Sequence, residues 1–105
     1  MDLNLLFGLT GKTAVVTGGG TGIGRMVVEA LAMAGARVLT CSRKIDSVQS
    51  AADAVNALGY PGSVEAFAGN VGTEEGIQAI VAEVRSRTDS LNILVNNAGI
   101  TWGAP

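Results

Sequence analysis

Histidine is absent from this 105-residue sequence, and cysteine, proline and aromatic residues are scarce. Without an imidazole, histidine-based catalytic triads and most zinc sites are excluded, so no metal site is predicted. The one cysteine, Cys41, has no second cysteine in these residues with which to form an internal disulfide. This favours a reducing compartment, and the prediction is a cytoplasmic protein.

Charged side chains are also few. They make up 15% of the residues, against about 25% in an average soluble domain. The net charge is −2 with the two signs interspersed, which favours neither nucleic acid nor an anionic membrane as a partner. No apolar run approaches the ~20 residues that span a bilayer, and the acidic start, residues 1–7, does not have the form of a signal peptide.

The chain is long enough for one domain at most. A small domain has proportionally more surface and should be more polar than average, yet 48% of these residues are hydrophobic. The sequence could encode a very compact, alanine- and valine-rich fold. Alternatively, some apolar faces are covered by chain outside these 105 residues. We favour the second interpretation.

The hydrophobic pattern alternates between strand and helix periods. Short β-branched or apolar runs predict strands at 13–17, 37–41, 63–68 and 91–95. A helical stripe follows the first strand: Ile23, Met26, Val27, Ala30, Leu31 and Ala34. A second stripe is Val48, Ala51, Ala52, Val55 and Leu58, with Asp46 or Ser47 as the predicted N-cap. Thr73 is predicted to cap a third helix with the stripe Ile77, Ile80, Val81 and Val84.

This β-α-β-α-β-α-β order predicts an α/β fold, the N-terminal half of a doubly wound parallel Rossmann sheet. The strand order would be 3-2-1-4, with the first two of three helices on one face and the third on the other. The fourth strand would then be an unprotected edge, and one face would carry a single helix. We therefore expect the sheet to be unfinished.

A glycine-rich segment, residues 17–24, joins the first strand to the first helix. Such a turn lets a diphosphate approach the backbone at a helix N-terminus. A P-loop would need Lys-Ser or Lys-Thr where Arg25-Met26 stand, so ATP hydrolysis is disfavoured. The G-x-G-x-x-G register fails as well. Gly18, Gly22 and Gly24 instead give G-x-x-x-G-x-G spacing after a threonine.

Thr17-Gly18-x-x-x-Gly22-x-Gly24, followed by Asn96-Asn97-Ala98-Gly99, resembles the classical short-chain dehydrogenase/reductase family. The sequence as a whole, including residues 100–105, is similar to the 3-oxoacyl thioester reductase branch of that family and to its rhamnolipid-pathway reductases. The resemblance covers essentially the whole chain. It implies one dinucleotide-binding domain, residues 1–105, incomplete at its C-terminus.

The resemblance implies which residues hold the cofactor. The loop would cradle the diphosphate through Gly18, Gly20, Thr21, Gly22, Ile23 and Gly24. After the second strand an acidic residue would favour NAD, but Ser42-Arg43-Lys44 stand there and suit a 2′-phosphate. The implied cofactor is NADP rather than NAD. Thr21 occupies a position where many NADP-preferring members carry a basic residue, and Arg43 and Lys44 could merely solvate a helix start.

Asparagines complete the implied site. Asn70-Val71 occupy the place of the family's Asp-Val pair, whose carboxylate lies near the adenine amino group. Asn70 could equally be a turn residue beside Gly69. Asn96 is expected to hold the sheet together. The residues expected to line the site are Asn97, Ala98 and Gly99.

Family members transfer hydride with a Tyr-x-x-x-Lys pair, and these 105 residues do not contain one. Tyr60, the only tyrosine, is followed four residues later by Val64, and the only lysines are Lys12 and Lys44. We therefore expect an oxidoreductase fragment with no catalytic residue and no activity by itself. The parent would be a homo-oligomer that reduces small carbonyl compounds with NADPH, or oxidises the alcohols. An inactive fragment and a stand-alone NADP-binding module remain alternatives.

Overall fold

The structure, a computed structural model, describes residues 8–97. Four parallel strands form one sheet with the order β3-β2-β1-β4, which confirms the predicted topology. The strands are β1 (Thr13–Thr17), β2 (Arg37–Ser42), β3 (Ser63–Ala68) and β4 (Ile93–Asn96). The helices are α1 (Gly22–Met33), α2 (Ile45–Asn56) and α3 (Glu74–Arg87). No helix among the described residues is long and apolar enough to cross a membrane.

The sheet has an apolar layer on each face because alternate residues of its strands point to opposite sides. On one face α1 and α2 pack over the sheet, with Val28, Ala32, Ala52, Val55 and neighbouring strand valines in one cluster. On the other face Ile80 of α3 packs with Val15, Leu39, Cys41 and Phe67. The predicted distribution of two helices on one face and one on the other is confirmed.

The predicted stripe of helix α1 is correct only in part: Val27 and Leu31 pack against the core cluster, but the most buried residues are others. Its buried residues are Gly24, Val28 and Ala32, whereas Ile23 is 71% and Met26 70% exposed. The helix is apolar on most sides, so spacing alone could not select the buried face. Its small side chains, one turn apart, let the helix approach the sheet closely.

The helix ends were predicted with mixed success. Thr73 caps α3 as expected, because its hydroxyl accepts a hydrogen bond from Gly76 N at 3.0 Å. The N-cap of α2 is Lys44, not Asp46 or Ser47. The Lys44 N–H donates to Ser42 Oγ at 3.2 Å, a local turn that lets the helix begin earlier.

An apolar groove of about 310 Å³ lies between α3 and β4. Leu94, on the exposed side of β4, is 64% accessible, and Leu91 and Val81 are also exposed. With Ile23 and Met26 on α1, this makes two exposed apolar surfaces within residues 8–97. Their presence accords with the unusually apolar composition.

The outer edge of β3 is capped at one residue by a side chain of α2. Val64 N donates to Asn56 Oδ1 and Asn56 Nδ2 donates to Val64 O, both at 2.9 Å. In a parallel ladder the N–H and C=O of one residue point to the same side, so this amide occupies the place of a further strand. The Asn56 side chain therefore caps the edge of the sheet at Val64.

We expect Asn56→Ala to lower the free energy of unfolding by about 1–2 kcal/mol, because two backbone partners lose their hydrogen bonds. Gln49→Ala is the matched control, since it removes only an exposed bond to Asp53 on the same helix. That variant should stay within about 0.5 kcal/mol of the parent. Urea unfolding followed by circular dichroism measures both, and equal midpoints would contradict the role of Asn56.

Candidate cofactor-binding site

A cleft of about 540 Å³ lies at the carboxyl ends of the strands, where ligands bind in doubly wound sheets. It receives residues from the ends of all four strands. Its lining consists of Gly18, Thr21, Cys41, Ser42, Arg43, Gly69, Asn70, Val71, Gly72 and Asn97. Seven of the predicted site residues are therefore brought together.

The glycine loop leaves β1 and enters α1 in a conformation that suits glycine. Gly18 has φ +74° and Gly22 φ +59°, in the left-handed region. Gly18 N donates to Cys41 O at 2.8 Å, which ties the loop to β2. A Cβ on Gly24 would overlap Gly18 O and lie 2.6 Å from Asn97 Nδ2. The loop is thus a close-packed backbone turn with no room for a side chain at Gly24.

The first turn of α1 follows this loop directly and begins at Gly22. Thr21 is the N-cap, and its side chain makes no capping hydrogen bond. The first amides of a helix have no partner within the helix and favour anions. A glycine cradle followed by uncapped amides fits a diphosphate. Gly20, Gly22 and Gly24 belong to this loop without lining the cleft itself, and Ile23 is exposed beside it.

Two residues beneath the loop were not predicted. A Cβ on Gly19 would overlap Thr40 Oγ1, and one on Gly20 would overlap Ser47 Oγ. Both contacts join segments that are distant in sequence, so spacing could not reveal them. The available signals were a threonine inside an apolar strand and two glycines at positions that the motif leaves open.

Of the three polar residues at the end of β2, only two line the cleft. Ser42 and Arg43 line the cleft, whereas Lys44 is exposed at the start of α2 and lies outside the lining. Within residues 8–97 Arg43 forms no ion pair. By contrast, Arg37 and Arg87 are both paired with Glu65, at the other end of the sheet. Arg43 is the one charged side chain among the described residues that line the cleft.

Asn70 adopts the turn role that the sequence left open. Its Oδ1 accepts a hydrogen bond from Gly72 N at 2.8 Å, closing a turn after β3. Asn70 and Val71 both line the cleft, and Val71 also packs against the cluster under α3. The turn therefore fixes the Asn70 side chain at the wall of the cleft.

The two asparagines after β4 have different partners. Asn96 Oδ1 accepts a hydrogen bond from Thr17 Oγ1 at 3.0 Å, which links β4 to β1. Asn97 N donates to Thr17 Oγ1 at 3.0 Å, and its Nδ2 approaches Gly18 O at 3.4 Å. Asn97 thus contacts the glycine loop directly. Ala98 and Gly99 lie outside the described residues.

Two other potentially reactive groups are not suited to proton transfer here. Burial raises the pKa of the Cys41 thiol to about 11, so the thiol is neutral at pH 7. The Tyr60 hydroxyl donates a hydrogen bond to Glu29 Oε2 at 2.8 Å, and this bond raises the pKa of Tyr60. Tyr60 precedes β3 and lies at the amino end of the sheet, whereas the cleft lies at the carboxyl end.

The family model described as short chain dehydrogenase matches residues 12–105. The chain is 39% identical over 98 residues to a rhamnolipids biosynthesis 3-oxoacyl-[acyl-carrier-protein] reductase of Pseudomonas aeruginosa, covering 93% of this chain and 37% of that protein. It is 33% identical over 89 residues to dehydrogenase/reductase SDR family member 11 of Homo sapiens, covering 85% and 34%.

Solved structures are similar over the same region. The Pseudomonas aeruginosa RhlG/NADP active-site complex has a TM-score of 0.83 and 36% identity, over 90% of this chain and 37% of that one. The L-sorbose reductase of Gluconobacter frateurii, complexed with NADPH and L-sorbose, has a TM-score of 0.81 and 38% identity, over 90% and 35%. The chain spans little more than a third of the length of these relatives.

Proposed function

This chain belongs to the short chain dehydrogenase family, and on that basis we propose that it binds NADP(H) for an oxidoreductase. The reaction is the reduction of a small carbonyl compound to a secondary alcohol, or the reverse. The observation that carries the preference for NADP is Arg43. It is a guanidinium with no ion pair among the described residues, at the end of β2, in a cleft whose described lining has no carboxylate.

The parts of the cofactor are assigned by the chemistry of each wall. The glycine loop and the first turn of α1 hold the diphosphate. Ser42 and Arg43 hold the 2′-phosphate, with Lys44 as a second, outer cation. Asn70 and Val71 form the adenine wall. The ribose on the nicotinamide side passes Asn97, together with Ala98 and Gly99. The NADP and NADPH complexes of related structures support NADP(H) as the cofactor.

Bound NADPH supplies the hydride. The described residues bind and orient it, and none of them is placed to move a proton at the cleft. Tyr60 lies at the opposite end of the sheet, and Lys12 precedes β1 at that same end. We therefore assign cofactor binding to residues 1–105 and proton transfer to groups outside them, so that this chain alone is inactive. The whole enzyme acts as a cytoplasmic homo-oligomer.

We expect Arg43→Gln to weaken NADPH binding by about 10- to 100-fold and NADH binding by less than about twofold. A charge-assisted hydrogen bond contributes about 1.5–3 kcal/mol, and only NADPH carries the 2′-phosphate. Fluorescence titration of the reduced nicotinamide gives both dissociation constants. Arg85→Gln, on the exposed side of α3, is the charge-matched control and should change neither.

The possible outcomes separate the two parts of the proposal. Absence of NADPH binding by the unmodified chain would contradict cofactor binding by these residues. If Arg43→Gln weakened the binding of NADPH and of NADH equally, the assignment of Arg43 to the 2′-phosphate would be contradicted.

A further inference from the structure

The glycine loop contains two glycines at positions that its G-x-x-x-G-x-G motif leaves open, Gly19 and Gly20. Gly19 is buried, and a Cβ there would overlap Thr40 Oγ1 and lie 2.7 Å from Val28 Cγ2. The backbone of the loop therefore rests directly on the Thr40 hydroxyl. Nothing in the motif accounts for this contact.

Thr40 is a rigid support. It is fully buried, and its hydroxyl donates to Val16 O at 2.8 Å across the β1–β2 pair. Rotation of the side chain would leave a buried donor without its partner, which is unfavourable away from water. The position of Oγ1 beneath Gly19 is thus fixed by the register of the sheet. Ser47, beneath Gly20, is only partly buried and can rotate more freely.

Strand β2, which contains Thr40, both supports the loop and leads into the wall of the cleft. Cys41 O accepts the hydrogen bond from Gly18 N at 2.8 Å, while Ser42 and Arg43 follow at once and line the cleft. One stretch of four residues therefore holds the entry of the loop and presents the arginine assigned to the 2′-phosphate.

We propose that Thr40 is a positioning residue for the cofactor loop. Its buried hydroxyl sets the distance between the backbone of residues 18–20 and strand β2. This places the amides that hold the diphosphate at the correct distance from Arg43. The inference rests on the proposed function, because it assigns a role within the same cofactor site. It goes beyond that function by assigning specificity for the diphosphate to a residue that does not contact the cofactor.

Substitutions at Thr40 separate the hydroxyl from the shape of the side chain. Thr40→Val keeps the outline, removes the bond to Val16 O and places a larger methyl group against Gly19. Thr40→Ser keeps the hydroxyl and loses only a methyl group. Thr13→Val is the matched control, because Thr13 is a buried threonine at the opposite end of β1.

The experiment measures the binding of three ligands at a temperature where circular dichroism shows each variant to be folded. NADPH is titrated directly by fluorescence. ADP, which has the diphosphate alone, and adenosine 2′-monophosphate, which has the 2′-phosphate alone, are measured by displacement of NADPH. We expect Thr40→Val to weaken NADPH and ADP about tenfold and adenosine 2′-monophosphate less than about twofold, while Thr40→Ser and Thr13→Val bind all three normally.

A second set of variants tests the contact if Thr40→Val does not fold. In the parent chain, Gly19→Ala should weaken the binding of NADPH about tenfold. In a chain that already carries Thr40→Ala, the same substitution should weaken it only about threefold, because the overlapping oxygen is then absent. Additive effects in this cycle would overturn the inference, as would normal ADP binding by Thr40→Val or an equal loss of all three ligands. Absence of NADPH binding by the unmodified chain would instead overturn the proposed function on which it rests.

Discussion

Replacing Gly24 with alanine is expected to raise the dissociation constant for NADPH by about 100-fold. The added Cβ would overlap Gly18 O, a backbone atom that no change of rotamer can move, and would lie 2.6 Å from Asn97 Nδ2. Overpacking of this kind typically costs 1–3 kcal/mol, and each 1.4 kcal/mol is about tenfold in affinity. Here the strain falls on the loop itself, so the first turn of α1 must move away from the diphosphate.

The measurement is fluorescence titration of NADPH, accompanied by thermal unfolding to report the folded fraction. Gly59→Ala is the control, because Gly59 has φ +73° but open space around its Cβ position, far from the loop. That variant should lose about 1 kcal/mol of stability through backbone strain and keep its affinity for NADPH. If Gly24→Ala bound NADPH as tightly as the parent, the close approach of Gly24 to Gly18 would not matter for the site.

Replacing Gly62 with alanine is expected to produce the largest loss of stability, about 3 kcal/mol. Its Cβ would overlap Ala36 O and lie 2.7 Å from Ala32 O and 2.9 Å from Ala32 Cα, all of them backbone atoms. The Gly62 N–H also donates to Ala32 O at 2.9 Å. The turn before β3 therefore passes directly against the end of α1, and a methyl group would separate two parts of the core.

A loss of this size is a large fraction of the stability of a small domain, and should lower the melting temperature by more than about 10 °C. Differential scanning calorimetry measures it directly. Gly72→Ala is the matched control, since its Cβ would meet only the Asn70 side chain, at 3.0 Å, and should shift the melting temperature by a few degrees at most. Equal melting temperatures for the two variants would show that the turn yields without strain.

Local signals in the sequence were sufficient for most of the fold. The cap at Thr73 was predictable because its partner, Gly76, lies three residues away. The strand order followed from the alternation of periods and the handedness of crossovers. The buried face of α1 was only partly predictable, because Ile23 and Met26 fit the apolar stripe but are exposed, whereas Gly24 is buried. The fit of a helix to a sheet depends on side-chain size, which a hydrophobic pattern does not record.

The candidate site divides in the same way. The spacing of Gly18, Gly22 and Gly24 indicated the loop, and the position of Arg43 after β2 indicated the opposite wall. The contact between Thr40 and Gly19 depends on the pairing of Val16 with Thr40 in the sheet. Such contacts arise only when two strands are in register, so they could be recognised only in three dimensions.

The hydrogen bonds between Asn56 and Val64 make the two edges of the sheet different. The Asn56 amide is bonded to both the N–H and the C=O of Val64. A further strand that paired with β3 at this residue would therefore have to break two hydrogen bonds. At the other boundary β4 pairs with β1 as its only neighbouring strand among the described residues, so a further strand could pair with its outer side. A strand added beside β4 would therefore lie next to Asn97 and the cofactor cleft.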